Sequence, residues 1–257
     1  KALEHKAPFI IGSAGGAGSS EHVNWLKEII LEIAKEQKLN FKLGTIYSDV
    51  TKDYVLEKLQ NNKVINMSSE FTLSEESIKK SKRIVSQIGV SPIIELLDKK
   101  VDVILCGRSC DTAIYASPCI YKGYDEGLAF HMAKIMECGA MCSEPVSAAD
   151  VMQGYMHKDY FELCPANPAR KCKVDRVAAH TLYEQSNPYL IFEPDGVCDL
   201  TNSKFEQIDD RRVRVSGSIF KKTDRKTLKL EGVKHSGYRT ISPATIFDTT
   251  TIDNINN

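Results

Sequence analysis

The chain has 257 residues, 42% hydrophobic and 26% charged, the composition of ordinary globular material with room for one large domain or two small ones. Its 34 Lys and Arg balance 34 Asp and Glu, so net charge asks for neither a nucleic-acid backbone nor an anionic membrane. No apolar run approaches the roughly 20 residues that span a bilayer, and Lys1 to Lys6 lack the charged-then-apolar layout of a signal peptide.

In chain order, residues 8–11 read as a short buried strand that runs into Gly12-Ser13-Ala14-Gly15-Gly16-Ala17-Gly18. His22 to Gln37 follows as a helix, with Val23, Leu26, Ile30, Ile33 and Ala34 at helical spacing and Ser19 or Ser20 as N-cap. Asn40 to Tyr47 alternates as a second strand. Thr51 to Gln60 and Ser74 to Gln87 read as helices, and Pro92 suits the first turn of another. Val101 to Cys106 is a strand running into Gly107-Arg108-Ser109-Cys110-Asp111-Thr112. A loop and a helix from about Gly127 to Cys138 come next. This alternation predicts an α/β fold with a parallel sheet and flanking helices.

After about residue 145 the character changes. Prolines fall irregularly, and His180 to Gln185 looks helical within a stretch beginning near Val174. Glu193-Pro194-Asp195-Gly196 is a strong turn signal. Arg212 to Ile219 alternates with period two, and Thr227–Gly232 and Tyr238–Ile241 read as further strands, giving a mixed or antiparallel β-rich second part. Residues 1–145 thus read as a Rossmann-like α/β core and 146–257 as a mixed α/β extension. The basic stretch from Arg211 to Lys229 reads as a solvated, charge-mixed hairpin rather than a phosphate patch.

Eight cysteines without a secretory signal point to buried reduced thiols and a cytoplasmic setting. Cys106/Cys110 and Cys138/Cys142 are each CxxxC, which on a helix shares one face. Zinc and iron–sulfur sites favour tighter pairs, so no metal is expected.

These motifs together resemble the acyclic terpene utilisation AtuA-like proteins. Ile11 to Gly18 is similar to their opening glycine turn, and Cys106 to Ala113 to their second signature. Ile135-Met136-Glu137-Cys138-Gly139-Ala140 resembles their helix ending in ECGA. The runs Asn167–Arg170, Ala178–Glu184, Glu193–Gly196, Leu230–Gly232 and Gly237–Arg239 follow in family order. Members often carry a bulkier residue at Gly16 and an acidic one at Ser19, so no role for that carboxylate carries over. The resemblance implies the catabolism of branched acyclic acids as acyl-CoA thioesters. It also implies a homo-oligomer or a small partner subunit, since some relatives work beside one.

The first turn is neither a Walker A loop nor a GxGxxG dinucleotide turn. Its backbone N–H groups at Gly12, Ser13, Gly15, Gly16 and Gly18 read either as an anion cradle or as a tight crossing. Arg108, delivered by a strand end, suits bidentate capture of a carboxylate or phosphate, and Asn167 and Arg170 lie on a proline-punctuated loop expected to cover the crevice. Asp111 reads as helix cap, Arg108 partner or base. His180 and Glu184, spaced i, i+4, read as a base with its orienting carboxylate or as a structural histidine beside a surface residue. Glu137 and Glu144 sit near a helix end where a carboxylate can abstract an α-proton. No GxSxG nucleophile turn is present.

The expectation is therefore an enzyme of the lyase, hydratase or isomerase class. It acts on a small carboxylate or acyl-CoA, with no other cofactor, no nucleic acid and no membrane. The alternative is a non-catalytic ligand-binding or scaffolding subunit of a multi-subunit catabolic complex.

Overall fold

The structure, a computed structural model, describes residues 1–67, 73–146, 150–184 and 186–256. The first half runs β1 (Phe9–Ile11), α1 (Ser20–Glu36), β2 (Leu43–Ile46), α2 (Lys52–Gln60), α3 (Glu75–Lys80), β3 (Arg83–Ser86), α4 (Ser91–Asp98), β4 (Val103–Cys106), α5 (Asp111–Tyr121) and α6 (Glu126–Met136). The second half runs β5 (Ser143–Glu144), β6 (Met152–Met156), β7 (Tyr160–Pro165), β8 (Lys171–Cys172), α7 (Val174–Thr181), β9 (Leu190–Glu193), β10 (Gly196–Asp199), β11 (Lys204–Gln207), β12 (Val213–Ser216), β13 (Ile219–Lys222), β14 (Leu230–Val233) and α8 (Thr249–Asp253).

The fold is mixed α/β. β1, β4 and β2 form a three-stranded parallel sheet in that order. β4 is central because its four residues, Val-Ile-Leu-Cys, are all buried, as a strand covered on both faces requires. The second half is antiparallel: β11-β12-β7-β6 and β13-β10-β9. β9 and β10 are joined across Pro194-Asp195, with Glu193 opposite Gly196, at the predicted turn.

α6 binds the halves together. Asp125 caps it by accepting from the Leu128 N–H at 2.9 Å, and every residue from Gly127 to Ile135 is buried. Ala129, Phe130 and Ala133 join the core of α4, β4, α5, β9 and β10. Leu128, Met132 and Ile135 join the core of β7, α7 and β12. A helix with two apolar stripes sits between two layers rather than on a surface. Gly127 permits the close approach, since a Cβ there would lie 2.7 Å from the Ile219 Cα on β13. Between the stripes, buried His131 hydrogen-bonds Ser218 Oγ and Thr181 Oγ1, each at 3.2 Å. Among the described residues no helix is long and apolar enough to cross a membrane.

Several expectations need correction. The helix expected over 74–87 ends at Lys80, and Arg83–Ser86 is instead strand β3, whose Ile-Val pair is β-prone and pairs with β14. The loop expected before Gly127 holds helix α5, which accommodates Pro118. Arg212–Ile219 is not one strand. Gly217, at φ +86°, turns a corner beneath the Asn202 carbonyl, so β12 and β13 belong to different sheets. Tyr238–Ile241 forms no strand. α7 ends at Thr181, and Glu184 lies beyond it at φ +56°, so His180 and Glu184 share no helical face; Gln185 lies outside the described residues. Neither CxxxC pair lies on one helix: Cys106 is in β4 and Cys110 in the turn, while Cys138 and Cys142 follow α6. All eight cysteines are unpaired.

The cations between Arg211 and Lys229 are largely neutralised. Arg212 and Arg214 meet Glu162, while Lys221, Lys222 and Lys226 meet Asp199, Glu126 and Asp195. Arg211 donates to the carbonyls of Arg170, Pro165 and Asn167.

Candidate functional site

The two glycine turns lie against each other. Ser13 N–H donates to the Gly107 carbonyl at 3.1 Å and Ala14 N–H to Cys106 at 3.0 Å, extending the β1–β4 pairing into the turns. Arg108 N–H donates to the Gly18 carbonyl at 3.0 Å. Buried Ser48 bolts the pair: its hydroxyl donates to Gly18 O at 3.1 Å and accepts from Arg108 N–H at 2.6 Å. Gly16 and Gly18 N–H groups bond within the turn, to Ser13 and Ala14. Of the proposed anion cradle, Ser13, Gly16 and Gly18 thus spend their amides inside the fold. The positive end of α1 is filled too. Asp49 accepts from Ser20 N–H at 2.8 Å and from its hydroxyl at 2.5 Å, supplying the anion from the chain itself. Gly12 serves packing, since a Cβ there would meet Ile114 of α5 at 2.7 Å. Gly15, at φ +60°, fits under His22.

Arg108 reaches the crevice, but a carboxylate of this chain meets it. Its Nε donates to Glu231 Oε2 at 2.8 Å and its Nη2 to Oε1 at 3.3 Å. Nη1 donates to Ser13 Oγ at 2.8 Å, to the Ser109 carbonyl at 2.7 Å and to Asp111 Oδ1 at 3.3 Å. Burial works against the guanidinium's charge, but Glu231 and Asp111 outweigh it and raise its pKa; the hydrogen bonds from Arg108 in turn lower that of Glu231. Glu231 arrives through the pairing of β14 with β3 and is also held by Gln87 Nε2 at 2.6 Å. Arg108→Ala is therefore expected to cost about 2 kcal/mol in urea unfolding, the scale of lost hydrogen bonds to charged groups. A loss below ~0.5 kcal/mol, the level of an exposed pair, would show that the contact is dispensable.

Asp111, 61% exposed at the start of α5, links this pair to a second cluster. There α6 ends with Lys134 bonded to Glu137, their side chains only 6% and 10% exposed. Burial raises the Glu137 pKa against the pull of Lys134, and the carboxylates of Asp111 and Glu184 add to the rise. Burial likewise raises the Tyr115 phenol, with Cys138, Glu137 and Asp111 nearby. On α7, buried His180 stacks on Tyr183 with ring centroids 5.3 Å apart, and its Nε2 has no hydrogen-bond partner. Burial, then the Lys134 charge, lowers its pKa, which keeps the ring neutral. Glu184 bonds Tyr183 rather than His180.

Glu193, at the end of β9, is buried beside Thr112. Burial pushes its carboxyl up to about 7; the Thr112 hydroxyl and Lys134 pull it down, while Glu137 and Asp195 push it higher. The native state thus holds a proton that the unfolded chain, with a value near 4.5, has released. The associated stability is complete below pH 4.5 and is lost as pH rises through 7. Glu193→Gln keeps the shape without the charge. It is expected to be more stable than the parent by roughly 3 kcal/mol above about pH 8, the gap closing in acid. His131 acts oppositely: burial lowers its pKa to about 3, so its stability is present above its ordinary 6.5 and lost as pH falls. The Glu193 effect is consequently read from parent and variant at matched pH in urea; a gap that does not change with pH refutes it.

The remaining residues named from the sequence serve elsewhere. Arg170 is buried and donates to the carbonyls of Pro145 and Ala140 and to Asp150 at 2.8 Å, tying down the segments around it. Asn167 Oδ1 accepts from Ala169 N–H at 3.0 Å, an Asx turn. Glu144 pairs with Arg176 at 3.2 Å. Among the described residues no group of three or more His, Cys, Asp or Glu is placed to hold a metal.

Lys134, Tyr115, Glu193 and Glu231 were not singled out as site residues from the sequence. Their signals were faint: a lysine on an otherwise apolar helix, and glutamates in a turn and a short strand. Chemically, the arrangement offers a protonatable carboxyl, a paired lysine, a neutral imidazole and a neutral phenol near one another, a set suited to moving protons.

A family model described as acyclic terpene utilisation family protein AtuA matches residues 1–157 and 165–251. No curated protein and no solved structure matches the chain.

Proposed function

The chain belongs to the acyclic terpene utilisation family AtuA, and we propose that it is an enzyme acting on a small branched carboxylic acid or its acyl-CoA thioester by proton transfer next to the carbonyl. The reaction class is lyase, hydratase or isomerase. The family carries a role in acyclic terpene catabolism, and eight unpaired thiols suit a reducing cytoplasm.

One observation carries this reading: Glu137 is bonded to Lys134 at the end of α6, and the field of that pair reaches His180 on α7 and Glu193 on β9, with Asp111 and Tyr115 on α5 beside it. In the proposed step the Glu137 carboxylate takes the α-proton and the C–H electron pair moves onto the carbonyl oxygen. The Tyr115 phenol hydrogen-bonds that oxygen, and the Lys134 charge stabilises it. The Glu193 carboxyl, protonated in the native state below about pH 7, then returns a proton: to the γ-carbon of the dienolate formed from a β,γ-unsaturated substrate, for isomerisation, or to a departing group, for elimination. The test is solvent deuterium incorporation at the α-carbon of branched acids and their CoA thioesters, followed by mass spectrometry. Incorporation above the protein-free rate is expected; none from any of them overturns the proposal.

A second reading, a ligand-binding or scaffolding subunit, is favoured by the exposed apolar residues after β14, where Tyr238 is 96% and Phe247 87% exposed. On that reading a second copy or a small partner subunit covers them, and exchange appears only in its presence.

A further inference from the structure

Beside the end of α6 lies a hollow of about 340 Å³. We propose that this hollow receives the aliphatic chain of the ligand and places its carbonyl end at Tyr115 and Glu137. The proposal rests on the proton-transfer reading for what happens at that end, but not for the binding itself.

The lining divides by chemistry. Met136, Met141, Val151 and Met152 form the apolar wall, and Tyr115 and Glu137 stand among the polar groups. Asp150 also borders the space, but its carboxylate is engaged by Arg170 at 2.8 Å and by the Val151 N–H at 2.7 Å. Glu137 faces both the hollow and the Lys134 cluster, so a chain lying along the methionines ends where the titratable groups begin.

Two glycines shape the wall. A Cβ at Gly139 would lie 2.7 Å from Met152 Cβ, and one at Gly154 would lie 2.5 Å from Met136 Sδ. The Met136 thioether therefore rests directly on the Gly154 backbone, and the base of the Met152 side chain on Gly139. Methionine is unbranched and polarizable, so such a wall can shift around methyl branches that a Leu or Ile wall would reject. The volume sits at the lower end of the range for small-ligand pockets, enough for a short chain and too little for a nucleotide as well. A thioester's CoA portion would have to remain outside.

The test is calorimetric titration of the whole chain with butyric, hexanoic, octanoic and decanoic acids, with citronellic acid, and with the CoA thioester of citronellic acid. Affinity is expected to rise about fourfold per methylene until the hollow is full, the increment for burying a methylene. Met141→Trp, which fills the wall, is expected to weaken citronellic acid at least tenfold and leave butyric acid unchanged. Val151→Trp, at a 65% exposed position, repeats this should Met141→Trp not fold. Comparison of acid and thioester shows which form is taken. Affinity independent of chain length, or citronellic acid binding unaltered by both substitutions, overturns the proposal. Length-dependent binding without α-deuteration upholds the hollow and removes the proton-transfer reading. α-Deuteration without length dependence does the reverse.

Discussion

Gly18→Ala is expected to destabilise the protein by at least ~3 kcal/mol in chemical denaturation. Two costs combine. Gly18 sits at φ +64°, where an L side chain costs about 1–2 kcal/mol. A Cβ there would also stand 2.1 Å from Arg108 N and 2.5 Å from its Cα, backbone atoms that cannot rotate away. The two turns would have to separate, breaking the Arg108–Gly18 bond and unseating Ser48. Gly16→Ala is the control. It has φ +83° but nothing within 4 Å of its Cβ, so it pays only the backbone cost, about 1 kcal/mol. If both substitutions cost the same, close approach does not explain Gly18.

This contrast shows what was legible beforehand. The glycine spacing left an anion cradle and a tight crossing both open, while the α/β alternation, the helix from Gly127 and the Glu193–Gly196 turn were readable from periodicity and turn chemistry. A glycine required for a ligand and one required for a neighbouring turn look alike in sequence, because both need only the absence of a Cβ. The same limit hid the partner of Arg108. Glu231 lies 123 positions away and reaches it only because β14 pairs with β3, a strand that read as the tail of a helix. Glu193 read as a turn residue, and its backbone closes β9 where the Pro194-Asp195 turn begins. Its buried carboxyl follows from the core of α5 and α6 closing over β9, a long-range fact no local pattern carries. His180 was legible as a candidate, but its supposed partner Glu184 was misplaced, because α7 ends at Thr181, before a full turn could stack the pair.

Glu137→Gln is expected to lower α-proton exchange by about 10²–10⁴-fold, the range for loss of a positioned general base. It is expected to lower the unfolding midpoint as well, because it leaves the buried Lys134 charge without its partner; exchange is therefore read on protein shown to be folded at the assay temperature. The neighbours of Glu137 then predict shifts of opposite sign in the pH profile. A base works only when deprotonated, so exchange rises with pH through its pKa. The Lys134 hydrogen bond and charge hold that pKa down, and the Asp111 carboxylate holds it up. Lys134→Met should therefore move the rising limb to higher pH, and Asp111→Asn should move it to lower pH by a smaller amount. Loss of Lys134 also removes a charge that stabilises the enolate, so the Lys134→Met plateau should fall as well, whereas that of Asp111→Asn should hold. A scaffold-only cluster would leave the limb in place in both variants. A limb that moves the same way in both would assign the titration to another group, with Glu193, near 7 and within the field of Lys134 and Glu137, the next to substitute.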